Sequence, residues 1–130
     1  MTTSTIRNLE QIENSAKAFG LDEGLDARFP SAELGCEHAG LSVQRLSPGF
    51  RVPFGHRHAD QEEVYVVVEG SGRIKLDDDV HALKQWDLVR IGPGVMHGME
   101  AGPQGMQIVA FGAPGPKRGD AEMVQGWWRD

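Results

Sequence analysis

His56 and His58 close an alternating row, Phe50, Val52, Phe54, His56 and His58, in which every second residue is apolar or an imidazole. In an extended chain successive side chains point to opposite faces, so these five share one face. A short polar turn, Ala59-Asp60-Gln61-Glu62, follows, and Glu63 opens a second apolar run from Val64 to Val68 that ends at Gly70 and Gly72. A His-x-His pair facing a carboxylate across such a hairpin lets His56, His58 and Glu63 converge on one cation. The competing reading is surface decoration. It fits poorly, because the neighbours on this face are Phe and Val and unpartnered imidazoles in an apolar interior are costly.

These residues resemble the first motif of the cupin superfamily, of the small single-domain type: a Gly, His-x-His, a few residues, Glu, six residues and Gly, here Gly49, His56, His58, Glu63 and Gly70. Gly92-Pro93-Gly94-Val95-Met96-His97 is similar to the core of the second motif. That motif departs from the family pattern at Gly92, which takes the usual Pro position, at Trp86, where a Gly is expected, and at Ala101, where an Asn often follows. The resemblance implies an all-β fold, a double-stranded β-helix or jelly-roll barrel. It also implies a metal shell of His56, His58, Glu63 and His97 holding one divalent transition metal per chain. Three imidazoles and a carboxylate suit Fe, Mn, Ni, Cu, Co or Zn. Four such ligands leave two positions of an octahedral ion open for water, substrate or O₂. The thiolate pattern of structural zinc is absent, since Cys36 stands alone.

The elements that must position these groups are short strands. At 130 residues, with 17 Gly and 7 Pro, the chain suits one domain rich in turns. Residues 1–40 read as an N-terminal arm and edge strands, 41–112 as the barrel core and 113–130 as a C-terminal tail. Within the arm, Glu10 to Phe19 suits either a short helix closed by Gly20 or a segment lying across the barrel. Leu25, Ala27 and Phe29 alternate as in an edge strand, and Leu41 to Leu46 is a strand ended by Ser47-Pro48-Gly49. Asp77-Asp78-Asp79 reads as a solvated hairpin tip rather than a calcium loop, with His81 exposed beside it. Trp86 to Ile91 is a further strand, Gly98 to Gly105 a loop, and Met106 to Phe111 the last strand.

The same alternation sorts the remaining candidates. Phe54, Tyr65, Val67 and Met99 fall on the ligand faces, and a buried Tyr65 hydroxyl would orient a bound ligand. Arg45, Arg90 and Gln107 sit on strands whose inward direction the sequence leaves open. Val64, Val66 and Val68 make the opposite face of the Glu63 strand apolar as well, so that face needs a cover: the arm, the Trp127-Trp128 tail or a second subunit. Cupins commonly dimerise through such surfaces, and the resemblance favours a homodimer.

The net charge of −6 argues against nucleic acid or an anionic membrane as partner. No run approaches the roughly 18 apolar residues of a membrane span. The first residues lack a signal-type apolar stretch, and a lone cysteine suits a reducing cytoplasm. No Gly-x-Ser-x-Gly elbow, Walker loop or dinucleotide-binding loop occurs, and Glu62 and Glu63, adjacent on a strand, point apart. Three functions remain: a metal-dependent oxygenase or isomerase acting on a small organic molecule, a non-catalytic module that binds or senses a small molecule or metal, and a barrel that keeps its ligands without defined chemistry.

Overall fold

The computed structural model describes residues 3–115 and 120–130. The first two residues of the expected arm and residues 116–119 of the expected tail lie outside them. Eight strands among the described residues form one antiparallel sheet that curls into a jelly-roll barrel: β1 (Leu25–Arg28), β2 (Gly40–Leu46), β3 (Phe54–His58), β4 (Glu62–Leu76), β5 (Asp79–Lys84), β6 (Leu88–Ile91), β7 (His97–Ala113) and β8 (Ala121–Gln125). One path of neighbours runs β1-β2-β7-β3-β8, while β4 pairs with β5, β6 and β7.

Strands β4 and β7 are the spine. Their register runs from Glu62 opposite Ala113 to Leu76 opposite His97, with irregularities at Val67/Glu69 and Gly70/Gly72. The expected loop at Gly98 to Gly105 lies within β7: residues 98–101 pair with β4, while 102–105 occupy the register shift without a partner on β4. Gly102, Pro103 and Gly105 are poor strand residues, but they fall where the register shifts, and a bulge tolerates a missing N–H. Gly70 and Gly105 both have positive φ, 77° and 80°. A Cβ on Gly70 would sit 2.1 Å from the Gly105 carbonyl oxygen, so the two strands bend together only because this residue has none.

Alternation then divides inside from outside. Tyr65, Val67, Ile74, Ile108 and Ala110 are buried in the core with Leu25, Ala27, Leu46 and Ile91. On the outer face Val64 lies opposite Arg90 and Phe111, and Val66 opposite Leu88 and Val109. The two valines are half-buried, and Leu88 and Phe111 are exposed. Arg45 is opposite Gln107 on this same side of the sheet, so Arg45, Arg90 and Gln107 all point away from the interior.

The arm forms two short 3-10 turns, Leu9–Gln11 and Ser15–Phe19, the second closed by Gly20 in the left-handed region. The Asn14 side chain accepts from the Ala16 and Ala27 amides, and Arg28 donates to the Leu9 and Ile12 carbonyls, which fastens the arm to β1. At the other terminus β8 adds a strand that the sequence reading did not contain, paired along the whole of β3. Trp127 then packs over Gly55, where an added Cβ would lie 2.4 Å from its ring. The arm therefore rests on β1, and the tail on β3 and on the Arg73 and Glu100 ends of β4 and β7, away from the Val64/Val66 pairs. No helix among the described residues is long and apolar enough to cross a membrane.

Candidate metal centre

The expected hairpin is not how the site is built. β3 and β4 follow one another in sequence, yet the two edges of β3 are taken by β7, through His56 opposite His97, and by β8. Glu63 reaches the histidines across the barrel interior from β4. The alternation placed the side chains on the right faces, but backbone pairing is a non-local property that alternation does not specify.

Glu63 Oε1 lies 3.8 Å from His56 Nε2, 3.0 Å from His58 Nε2 and 3.1 Å from His97 Nε2. It is buried and forms no well-directed hydrogen bond. One ligand atom from each of His56, Glu63 and His97 falls within 4.8 Å of the others. His58 stands outside that compact group, although its Nε2 is the nitrogen nearest to Glu63 Oε1. Its ring centroid is 6.4 Å from that of His97, against 4.1 Å between His56 and His97.

His97, 1% exposed, is held on both nitrogens. Its Nδ1 is 2.9 Å from the Val95 carbonyl oxygen, which can only accept, so Nδ1 carries the proton and Nε2 turns its lone pair toward Glu63 and the Tyr65 hydroxyl, 3.2 Å away. The Gly92-to-Met96 turn that delivers it is pinned by Asp77, whose carboxylate accepts from the Met96 amide and whose own amide donates to the Met96 carbonyl. The acidic hairpin tip is thus more than a solvated turn. Trp86, standing where the family pattern has Gly, adopts a φ of 71° with its side chain 64% exposed. The backbone there keeps the shape that glycine favours although the residue is not glycine.

The electrostatics follow from burial. Desolvation, reinforced by His97, lowers His56 to about 3, so its imidazole is neutral. His58 is raised, chiefly by its contact with Glu63 and then by Asp120. Burial pushes Glu63 upward, but the close His58 nitrogen, 3.0 Å away, outweighs it and holds the carboxylate at about 2. Desolvation followed by the Glu63 charge raises Tyr65 well above its ordinary value, so its hydroxyl keeps its proton. A neutral His56, an ionised Glu63 and its orphaned buried oxygen fit a divalent transition metal.

Two supporting residues were missed by the sequence reading. Asp120, in the segment before β8, accepts from the Ala59, Asp60 and Gln61 amides and brings its carboxylate to 3.5 Å from His58 Nδ1. Nothing local in a Gly/Pro-rich charged stretch marks it. Gln61 was read as part of a polar turn. It is buried, fills the space over Gly112 and donates to the Pro114 carbonyl. His81 is exposed, as read, and His38 is exposed as well.

Above the cluster a cavity of about 600 Å³ opens to solvent, lined by Phe54, Tyr65 and Met99 together with residues of β1, β2, β8 and the arm. Val67, by contrast, is core. Residues 42–110 match the family model for the cupin domain. The chain belongs to the cupin family. An uncharacterised protein of Methanocaldococcus jannaschii is 30% identical over 71 residues, which are 54% of this cupin and 57% of that protein's length. Among solved structures, a cupin protein from Bacteroides fragilis superposes with a TM-score of 0.71 at 22% identity over 92% of both chains. A Streptomyces nucleoside dehydratase does so with a TM-score of 0.74 at 20% identity, over 95% of this cupin and 92% of that chain. Oxalate decarboxylase from Bacillus subtilis reaches 0.77 at 22% identity, over 96% of this cupin but 33% of that chain. At these identities the likeness establishes the shared fold.

Proposed function

We propose that this cupin is a metal-dependent enzyme of oxygenase or isomerase type acting on a small organic molecule, with one divalent transition metal held by His56, Glu63 and His97 and by His58 as the fourth ligand. The observation that carries the reading is Glu63 Oε1, a buried carboxylate oxygen that three imidazole nitrogens approach and none satisfies, at the floor of an open cavity. A closed structural site would have no such opening. When bound, the metal would supply Lewis-acid polarisation of a ligand oxygen. The chain's own groups do the rest. Tyr65 orients an oxygen of the bound molecule through its protonated hydroxyl, Asp120 holds the turn behind His58, and the apolar walls exclude water. The nucleoside dehydratase and oxalate decarboxylase folds are compatible with catalysis in such a barrel.

The alternative is a binding or sensing module. It is favoured by one observation: among the described cavity residues, no carboxylate besides Glu63 and no lysine is placed to act as a separate base. Anaerobic loading with Fe(II), followed by oxygen uptake and product analysis with diols, thiols and keto acids, separates the two. Metal-dependent turnover supports the enzyme. Tight binding with no turnover by any loaded metal overturns it in favour of the module.

The assembly belongs to the same proposal. With the arm committed to β1 and the tail to β3 and the Arg73 end of β4, a second subunit is the remaining cover for the Val64/Val66/Val68 face, giving a homodimer. Residues 41–112 act as the working barrel, with 1–40 and 113–130 as its covers. The lone Cys36 suits a cytoplasmic setting.

A further inference from the structure

We propose that the cavity selects a molecule with an uncharged, largely apolar body and a chelating oxygen head, in preference to a small dicarboxylate or a phosphorylated compound. The inference rests on the metal reading above for the head and on the cavity walls alone for the body. At the floor are the ligand cluster and Tyr65. Higher up, the described lining residues include no lysine or arginine, and Glu63 is their sole carboxylate. An anionic body entering here would shed water and meet no compensating charge.

Most polar side chains of the walls are bonded within the protein. Gln44 Nε2 donates to Ser42 Oγ at 3.3 Å, and Ser31 Oγ is engaged by the Leu41 amide at 2.9 Å and its carbonyl at 3.4 Å. Gln61 Nε2 is committed to the Pro114 carbonyl. The rest of the lining is predominantly apolar. The rim repeats the pattern: Phe19, Phe29 and Met123 line the mouth and are 72%, 51% and 49% exposed. They come from three separate segments, the arm, the residue after β1, and β8. Exposed apolar side chains converging on one opening mark an entrance for apolar matter.

The test uses protein reconstituted with Ni(II) and titrated calorimetrically with straight-chain hydroxamates from acetohydroxamate to octanohydroxamate, with oxalate and succinate alongside. The shared head holds chelation constant while the body grows. Affinity is expected to rise about threefold to fourfold per methylene, or on the order of 100-fold across four, as each CH₂ leaves water. Both dicarboxylates should bind more weakly than hexanohydroxamate. The Phe19→Ser/Phe29→Ser variant, altering only exposed positions, should flatten the chain-length series to less than about twofold per methylene while metal content and acetohydroxamate affinity stay unchanged.

A metal-free arm separates this inference from the metal reading. The neutral fluorophore N-phenyl-1-naphthylamine should bind without metal and be displaced by octanohydroxamate. Displaceable dye binding with no metal uptake would overturn the metal reading and support the apolar body. Metal uptake with flat chain-length dependence, or with tighter dicarboxylate binding, would overturn the inference alone. Rim variants that change the association state but not the series would equally overturn it, assigning the rim to a subunit contact.

Discussion

Two polar clusters lie in this barrel, and they differ in whether their members are satisfied. At one end Glu100 joins Arg51 at 2.7 Å and Arg73 at 2.6 Å, and Asp130 joins Arg51 at 2.9 Å. Arg51 also donates to the Trp128 carbonyl and stacks over its ring at 4.4 Å, with Arg73 at 5.2 Å. Each of these charges has an opposite partner, and together they latch the C-terminal tail to β4 and β7. At the other end Glu63 Oε1 and His58 Nδ1 are buried without a directed partner. Buried polar groups are normally paired, so a cluster that is not paired is built for something that comes from outside. The contrast separates a latch from a site more sharply than residue type does, since both clusters hold carboxylates and cations.

The comparison can be broken most easily at Glu63. Glu63→Gln should weaken metal affinity by more than about 100-fold, beyond the 10–100-fold typical of residues that merely support a ligand. Glu62→Gln should leave it unchanged, because Glu62 is on the outer face, bonded to Arg90. Competition with a metal-sensitive dye at one pH measures both. Comparable losses would mean that the inward register of β4 is wrong.

The latch should show the opposite signature. Glu100→Ala removes the acceptor shared by two arginines and should cost about 2 kcal/mol of folding stability, read by urea denaturation, with metal affinity preserved. Asp120 stands between the two behaviours, since it holds a turn and faces a proposed ligand. Asp120→Asn should lower metal affinity about tenfold. Trp86→Gly, at a left-handed position with an exposed side chain, should raise stability by about 1 kcal/mol through relief of backbone strain. A fall in melting temperature would show that the Trp86 side chain has a role this structure does not give it.

Local chemistry was legible in the sequence and long-range pairing was not. The row from Val52 to His58 could be placed on one face because strand alternation is local. Gly49, Gly70 and the Gly92-to-Met96 turn marked the chain's bends for the same reason. The Gly98-to-Gly105 segment was misread because its glycines and proline are breakers by local propensity. Pairing of residues 98–101 with β4 overrides that propensity, and the breakers Gly102, Pro103 and Gly105 sit in the register shift between Ala101 and Met106. The partner of β3 was misread because β8 lies more than sixty residues downstream. Asp120 could not be found at all, since its role exists only once β8 folds back beside the turn. Arg45, Arg90 and Gln107 could be assigned to the outer face only after the registers of β2, β4 and β7 were known.

The central claim is that the unsatisfied cluster is a metal centre. It is tested most directly by elemental analysis of untagged protein reconstituted in turn with Fe, Mn, Co, Ni, Cu and Zn, beside the His56→Ala/His58→Ala variant. The account predicts retention of one transition metal per chain by the wild type and none by the variant, with the Arg51–Glu100–Arg73 latch, and so the fold, intact in both. Folded wild-type protein that retains none of the six metals would contradict it.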